Sequence, residues 1–157
     1  MANLTGSTQT FDGDTSVVDS SAKHPLGTRA HDVDGNEYVY ALGVASTAVG
    51  TWVTFDEEYT TTRAVADAQG RVGIAMAAIV ADKYGWYQIY GKASGLALTG
   101  FADNGKVYLT ATAGSVDDTD VAGDAVIGAI GRSKVDETSF LATFELNYPI
   151  VMDLAID

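Results

Sequence analysis

Acids, two histidines and a group of aromatics are the side chains with chemistry to offer in this sequence, and cysteine is absent from it. No thiolate nucleophile, disulfide or cysteine-bound zinc can therefore be built. His24 and His31 stand apart from any serine and carboxylate pattern that would mark a hydrolytic triad. His31-Asp32-x-Asp34 offers an imidazole and two carboxylates, and Asp32, Asp34 and Asn36 alternate as calcium-loop oxygens do. The calcium frame breaks at once, because Gly35 comes too early and no glutamate closes the loop. An Asp-Gly-Asn run of this kind is expected to be a turn.

Asp117, Asp118, Asp120 and Asp124 form a second oxygen-rich stretch, within 115–124. It is expected to be a solvated acidic connection; micromolar calcium binding in a titration would overturn that. Glu57 and Glu58 are adjacent, so on a strand they point to opposite faces and cannot act together as a glycosidase pair. Gly91 to Gly100 lacks the Lys-Ser/Thr ending of a phosphate loop. These patterns lead to the expectation of a non-catalytic protein with no cofactor and no metal.

The aromatics carry more weight. Trp86, Tyr87 and Tyr90 lie inside Arg71 to Leu98, the longest apolar run, which glycines punctuate at Gly73, Gly85, Gly91 and Gly95. Under a period of two, Trp86, Gln88 and Tyr90 share one face and Tyr87 and Ile89 the other. Such rings can make a sugar-stacking platform or a buried contact. Large aromatics dominate the energetics of cores and interfaces, so core or oligomer interface is expected for Trp52, Trp86, Tyr87 and Tyr90.

The elements that must position these groups read as strands. Seventeen glycines, two prolines and abundant Thr, Val, Ala and Tyr suit short strands and tight turns. Strands are expected at Glu37–Leu42, Thr51–Phe55, Thr62–Ala66, Val72–Val80, Trp86–Gly91, Leu96–Leu98, Lys106–Ala111, Val126–Gly131 and Ser139–Asn147. Asp103-Asn104-Gly105 is a type I′ hairpin signal, with Lys106–Ala111 as its outgoing strand. Phe140, Ala142, Phe144 and Leu146 fall on one buried face. The fold class is all-β, an antiparallel barrel or sandwich of about eight to ten short strands.

The 157 residues make one domain of ordinary size. A net charge of −12 repels phosphate backbones, which argues against DNA or RNA as partner. No apolar run is long enough to cross a bilayer as a helix, and no basic-then-apolar segment opens the sequence. A soluble, unprocessed chain without membrane contact is the expectation. Residues 1–22 are polar and poor in large apolar groups, and read as an extended N-terminal arm ahead of a β-domain at 23–157. Leu4, Phe11, Val17 and Val18 are the residues by which such an arm would hold another chain. The alternative is a loose tail with scattered apolar residues.

Several short motifs then assemble: His24-Pro25-Leu26-Gly27-Thr28, Asp34-Gly35-Asn36-Glu37-Tyr38-Val39-Tyr40 and Tyr84-Gly85-Trp86-Tyr87-Gln88-Ile89-Tyr90-Gly91. Lys106-Val107-Tyr108-Leu109, Thr112-Ala113-Gly114, Ile127-Gly128-Ala129 and Tyr148-Pro149 follow. From about His24 to Pro149 the sequence resembles tailed-phage virion proteins of the head decoration or cement type. The resemblance implies a small β-domain on the outside of an icosahedral head, often a homotrimer. There it bridges capsomers, with the major capsid protein as partner and no catalytic residues. It would be made in the host cytoplasm and end on the capsid exterior. A tail or fibre-base structural protein and a carbohydrate-binding β-module are the competing readings.

Overall fold

A computed structural model describes residues 13–153. The described chain is all-β: no helix, and ten strands in one sheet whose ladders are all antiparallel, not closed into a barrel and sandwich-like in form. The strands are β1 (Arg29–His31), β2 (Glu37–Leu42), β3 (Trp52–Phe55), β4 (Thr61–Arg63) and β5 (Gln69–Ala75), then β6 (Tyr84–Leu96), β7 (Lys106–Leu109), β8 (Val116–Asp117), β9 (Ala125–Gly131) and β10 (Leu141–Met152). Their order across the sheet is β1-β2-β6-β5-β10-β9-β7-β8, with β3 on the free side of β5 and β4 outside β3.

The organising feature is a fork. β6 and β10 pair from Leu96↔Leu141 to Tyr90↔Asn147, then part, and β5 fills the gap. The Gln69–Arg71 end of β5 pairs with β10, and its Ile74–Ala75 end pairs with β6. Both long strands bend where they separate. Gly91 sits at φ +96° and Tyr148 at φ +47°, the left-handed region that glycine enters freely and a tyrosine rarely does.

Gly91 is pinned from two sides. The Gln88 side-chain amide donates to the Tyr90 and Lys92 carbonyls at 3.1 and 2.9 Å, and the Lys92 N–H donates to Asn36 Oδ1 at 3.1 Å. A Cβ at Gly91 would run into that same Asn36 amide. The bend exchanges the strand's faces. Before it Gln88 lies opposite Ile74 of the large core, whereas after it Ala93 occupies that side.

The large core holds Trp52, Val72, Ile74, Phe101, Leu109, Phe144 and Leu146. Trp52 meets Phe144 edge-on at 4.9 Å and donates its indole N–H to the Leu96 carbonyl at 3.1 Å. Gly95 makes room for it, since a Cβ there would lie 2.7 Å from Trp52 Nε1. On the opposite face a second cluster joins Val39, Val53, Phe55, Ile79, Tyr87 and Ile89.

Several expected elements shift. The Val72–Val80 strand ends at Ala75, and the strand expected at Trp86–Gly91 is part of one bent thirteen-residue β6 that ends at Leu96, the first residue of the expected Leu96–Leu98 strand. Asn104-Gly105 is a turn, with Asn104 at φ +60°, yet the strand after it pairs with β8 and β9 and makes no hairpin with the strand before. Phe140 lies outside β10 at φ +57° and is exposed, so it does not share the buried face of Ala142, Phe144 and Leu146. Glu57 and Glu58 occupy the exposed turn between β3 and β4, where no strand alternation applies.

Candidate interaction surface

The residues first considered for chemistry are engaged in holding turns and covering the core. The Asp32 carboxylate accepts from the Asp34 and Asn36 backbone N–H groups, the Asn36 amide and the Tyr38 hydroxyl, at 2.8 to 3.0 Å. Partial burial pushes its pKa up, but these four donors outweigh it and hold the carboxyl below its ordinary value. In the acidic stretch, Asp118 accepts from the Ala102 N–H, Asp117 from Thr119, and buried Asp124 from the Asp67 N–H. Among the described residues no three His, Asp or Glu side chains converge as metal ligands would.

Leu4 and Phe11 lie outside the described residues. Val17 and Val18 are exposed, while the residues that follow them turn onto the body of their own chain. Asp19 pairs with Tyr84 through backbone hydrogen bonds at 2.9 and 3.0 Å. The Tyr40 hydroxyl donates to Asp19 Oδ2 at 2.6 Å and accepts from the Lys23 N–H at 3.1 Å. His24 lies edge-on to Tyr40 at 5.1 Å and 5.4 Å from the Trp86 ring, and Leu26 packs against the same cluster. Residues 19–26 thus form a strap over Trp86, Tyr40 and Tyr38. Burial, helped by the hydrogen bond to Asp19, pushes the Tyr40 phenol up to about 12.

Trp52, Trp86 and Tyr87 are all buried within this one chain. Neither tryptophan offers a ring face to solvent, so no sugar platform forms on them. Tyr90 is different. It is 38% exposed at the bend, and its ring centroid lies 5.2 Å from that of Tyr148, itself 47% exposed.

Around this pair the fork gathers groups from seven strands. The Arg29 guanidinium lies over the Tyr148 ring at 5.8 Å, and the Tyr148 hydroxyl donates to Glu37, which holds the phenol in its neutral form to higher pH. Arg71 sits 4.7 Å from both the Phe55 and Tyr59 ring centroids and donates to the Asp56 carbonyl at 2.8 Å and the Tyr59 hydroxyl at 3.3 Å. Arg29, Arg71, Phe55, Ile89, Tyr148 and Pro149 line one crevice of about 40 Å³. Ile127, Ile150, Arg71 and Phe55 are successive register partners across β9, β10, β5 and β3, so they form one row on one face. Ile127 is 63% exposed, and Met152 at the next position of that face is exposed as well.

Beyond the bend the same face continues as an open trough of about 530 Å³. Lys92 and Glu145 line it and begin a second row of register partners that runs on to Ile130 and Lys106. Arg132 bridges Glu145 at 2.8 Å and reaches Asn104 Oδ1 at 2.8 Å. That exposed pair is worth at most about 1 kcal/mol, so it shapes the surface more than it stabilises the fold.

The result is a rim of aromatic, aliphatic and cationic groups. Such mixtures, rich in Tyr and Arg, are what protein interfaces use at their centres. Sequence reasoning found Tyr90 and missed Tyr148, Arg29, Arg71 and Ile127 as a group. Comparison of the chain with protein-family models, with curated proteins and with solved structures finds no match.

Proposed function

We propose that the protein is a non-catalytic virion component that decorates a phage head, docking through the face around Tyr90, Tyr148, Arg29 and Arg71. One observation carries the reading. The fold buries Trp52, Trp86, Tyr40, Tyr87, Phe101 and Phe144, yet leaves Tyr90, Tyr148, Ile127 and Met152 at the surface around a fork that holds two of its four arginines. Burying such a patch against a partner is favourable, and its cost in the free protein is hard to explain by folding alone. The motifs resembling decoration proteins supply the kind of partner, the major capsid protein on the outside of the shell.

Within this reading the N-terminal arm, with Leu4, Phe11, Val17 and Val18, makes a second contact to the shell or a neighbouring copy. The protein acts as a homo-oligomer, a trimer at three-fold positions. Many copies then give avidity, so each contact can be modest. Mixing labelled protein with purified heads and purified tails tests the assignment. Saturable binding to heads, weakened when Tyr90 and Tyr148 are both replaced by Ser, is expected. Binding to tails alone would make it a tail component, and binding unaffected by the double replacement would remove this face from the account. Removing residues 1–18, which spares the strap, should lower head occupancy if the arm contributes.

A further inference from the structure

We propose that the crevice between Arg29 and Arg71 is a socket for a single carboxylate, the Asp or Glu side chain of an acidic segment on a partner protein other than this chain. The inference rests on the docking face described above and names the partner's chemistry at its centre. Three observations converge on it.

Size is the first. The crevice holds about 40 Å³, room for about three waters. Small-molecule sites run to about 300 Å³ or more. A carboxylate tip enters such a space; a sugar ring or a nucleobase does not.

Charge is the second. In a chain of net charge −12, two of its four arginines line this one small opening. Guanidinium groups match a carboxylate through paired N–H donors, a geometry lysine cannot reproduce. Arg71 spends two donors on Asp56 and Tyr59, which fix its plane over Phe55. Arg29 rests on the Tyr148 ring, and among the described residues it makes no hydrogen bond or ion pair. One cation is therefore held in place and the other has its donors open.

The surroundings are the third. The walls are Phe55, Ile89, Tyr148 and Pro149, with Ile150 and Ile127 next along the row. An apolar wall weakens competition from water and strengthens each charged hydrogen bond formed there. A segment that presents apolar residues beside its acid would cover Ile127 and Tyr90 while the carboxylate enters. The docking proposed above sets this face against the shell, so the carboxylate is assigned to that partner and not to a second copy of this chain.

The test uses the full chain and two probe peptides, acetyl-Phe-Glu-amide and acetyl-Phe-Gln-amide, titrated while the arginine Nε–H resonances are followed by NMR. Saturable shifts of Arg29 and Arg71 with the Glu peptide, and at least about tenfold weaker response to the Gln peptide, are expected. Arg29→Gln should weaken the Glu response about tenfold and leave the fold intact, since that side chain is exposed. Arg71→Lys keeps charge near Phe55 and should weaken binding as well. Equal response to both peptides, or shifts spread evenly over Arg63 and Arg132 as well, would overturn the socket. Concentration-dependent self-association that Arg29→Gln abolishes would overturn the choice of partner. Heads that still bind wild type while the peptide titration is flat would remove the socket and retain the docking face.

Discussion

The start and the middle of β6 carry the same kind of side chain and treat it in opposite ways. Toward Tyr84, the Trp86 ring is roofed by the chain's own residues 19–26, with Tyr40 tied to Asp19 and His24 laid against both rings. Toward Gly91, Tyr90 comes to the surface beside Tyr148, with only the Arg29 guanidinium over the second ring, and both stay exposed. The difference arises at the bend. The register slips by one between Gln88 and Tyr90, just before the left-handed Gly91, so a ring that alternation alone would align with Trp86 arrives at the rim. The start of the strand is a finished core, and the bend has the composition of an interface still to be covered.

The largest expected effect lies at the roofed end. Trp86→Ala should cost about 3–5 kcal/mol, as truncation of a buried aromatic does, read as a shift in the urea midpoint at constant slope. Tyr90→Ala should cost under about 1 kcal/mol; equal costs at the two positions would erase the contrast. Next comes the bend itself. Gly91→Ala adds left-handed strain and a clash with Asn36, and about 2–3 kcal/mol is expected, with amide exchange quickening first along β2 and β6 near Tyr90.

Smaller still is the strap. Asp19→Ala removes the hydrogen bond to Tyr40 and should cost about 1 kcal/mol. It should also lower the Tyr40 ionisation from about 12 toward the ordinary value near 10. The sign follows from linkage: with the phenol pKa raised in the folded state, this stabilisation is full below about pH 10 and is lost as pH rises through about 12. Alkaline titration followed by tyrosinate absorbance and unfolding together checks it. At the acid side Asp32 behaves inversely. Its depressed pKa stabilises the β1–β2 turn above the unfolded value near 4, and that support fades as pH falls through the folded one. Asp32→Asn should flatten this acid limb.

Much of the sheet was legible in the sequence because alternation is a local signal. β2, β3 and the Ala142–Phe144–Leu146 face of β10 follow from period two, and turn residues delimit β9. What escaped was set by distant contacts. That Val72–Val80 stops at Ala75 depends on where Trp86 and Gly50 meet Met76 and Ala75, which no local pattern encodes. Asn104-Gly105 gave a correct turn and a wrong partner, since strand pairing across a long separation decides the ladder. The face around Arg29, Arg71 and Tyr148 joins residues more than forty positions apart in sequence. Its only local hint was Tyr148-Pro149, an aromatic held against a proline within a strand.

The most direct test of the docking face is head occupancy of Tyr148→Asn protein compared with wild type, with unfolding free energy measured alongside. Asparagine tolerates the left-handed backbone at this position and removes the ring. The account predicts stability within about 1 kcal/mol of wild type and at least about tenfold weaker binding, as for an aromatic hot spot. Undiminished occupancy by a stably folded Tyr148→Asn protein would contradict it.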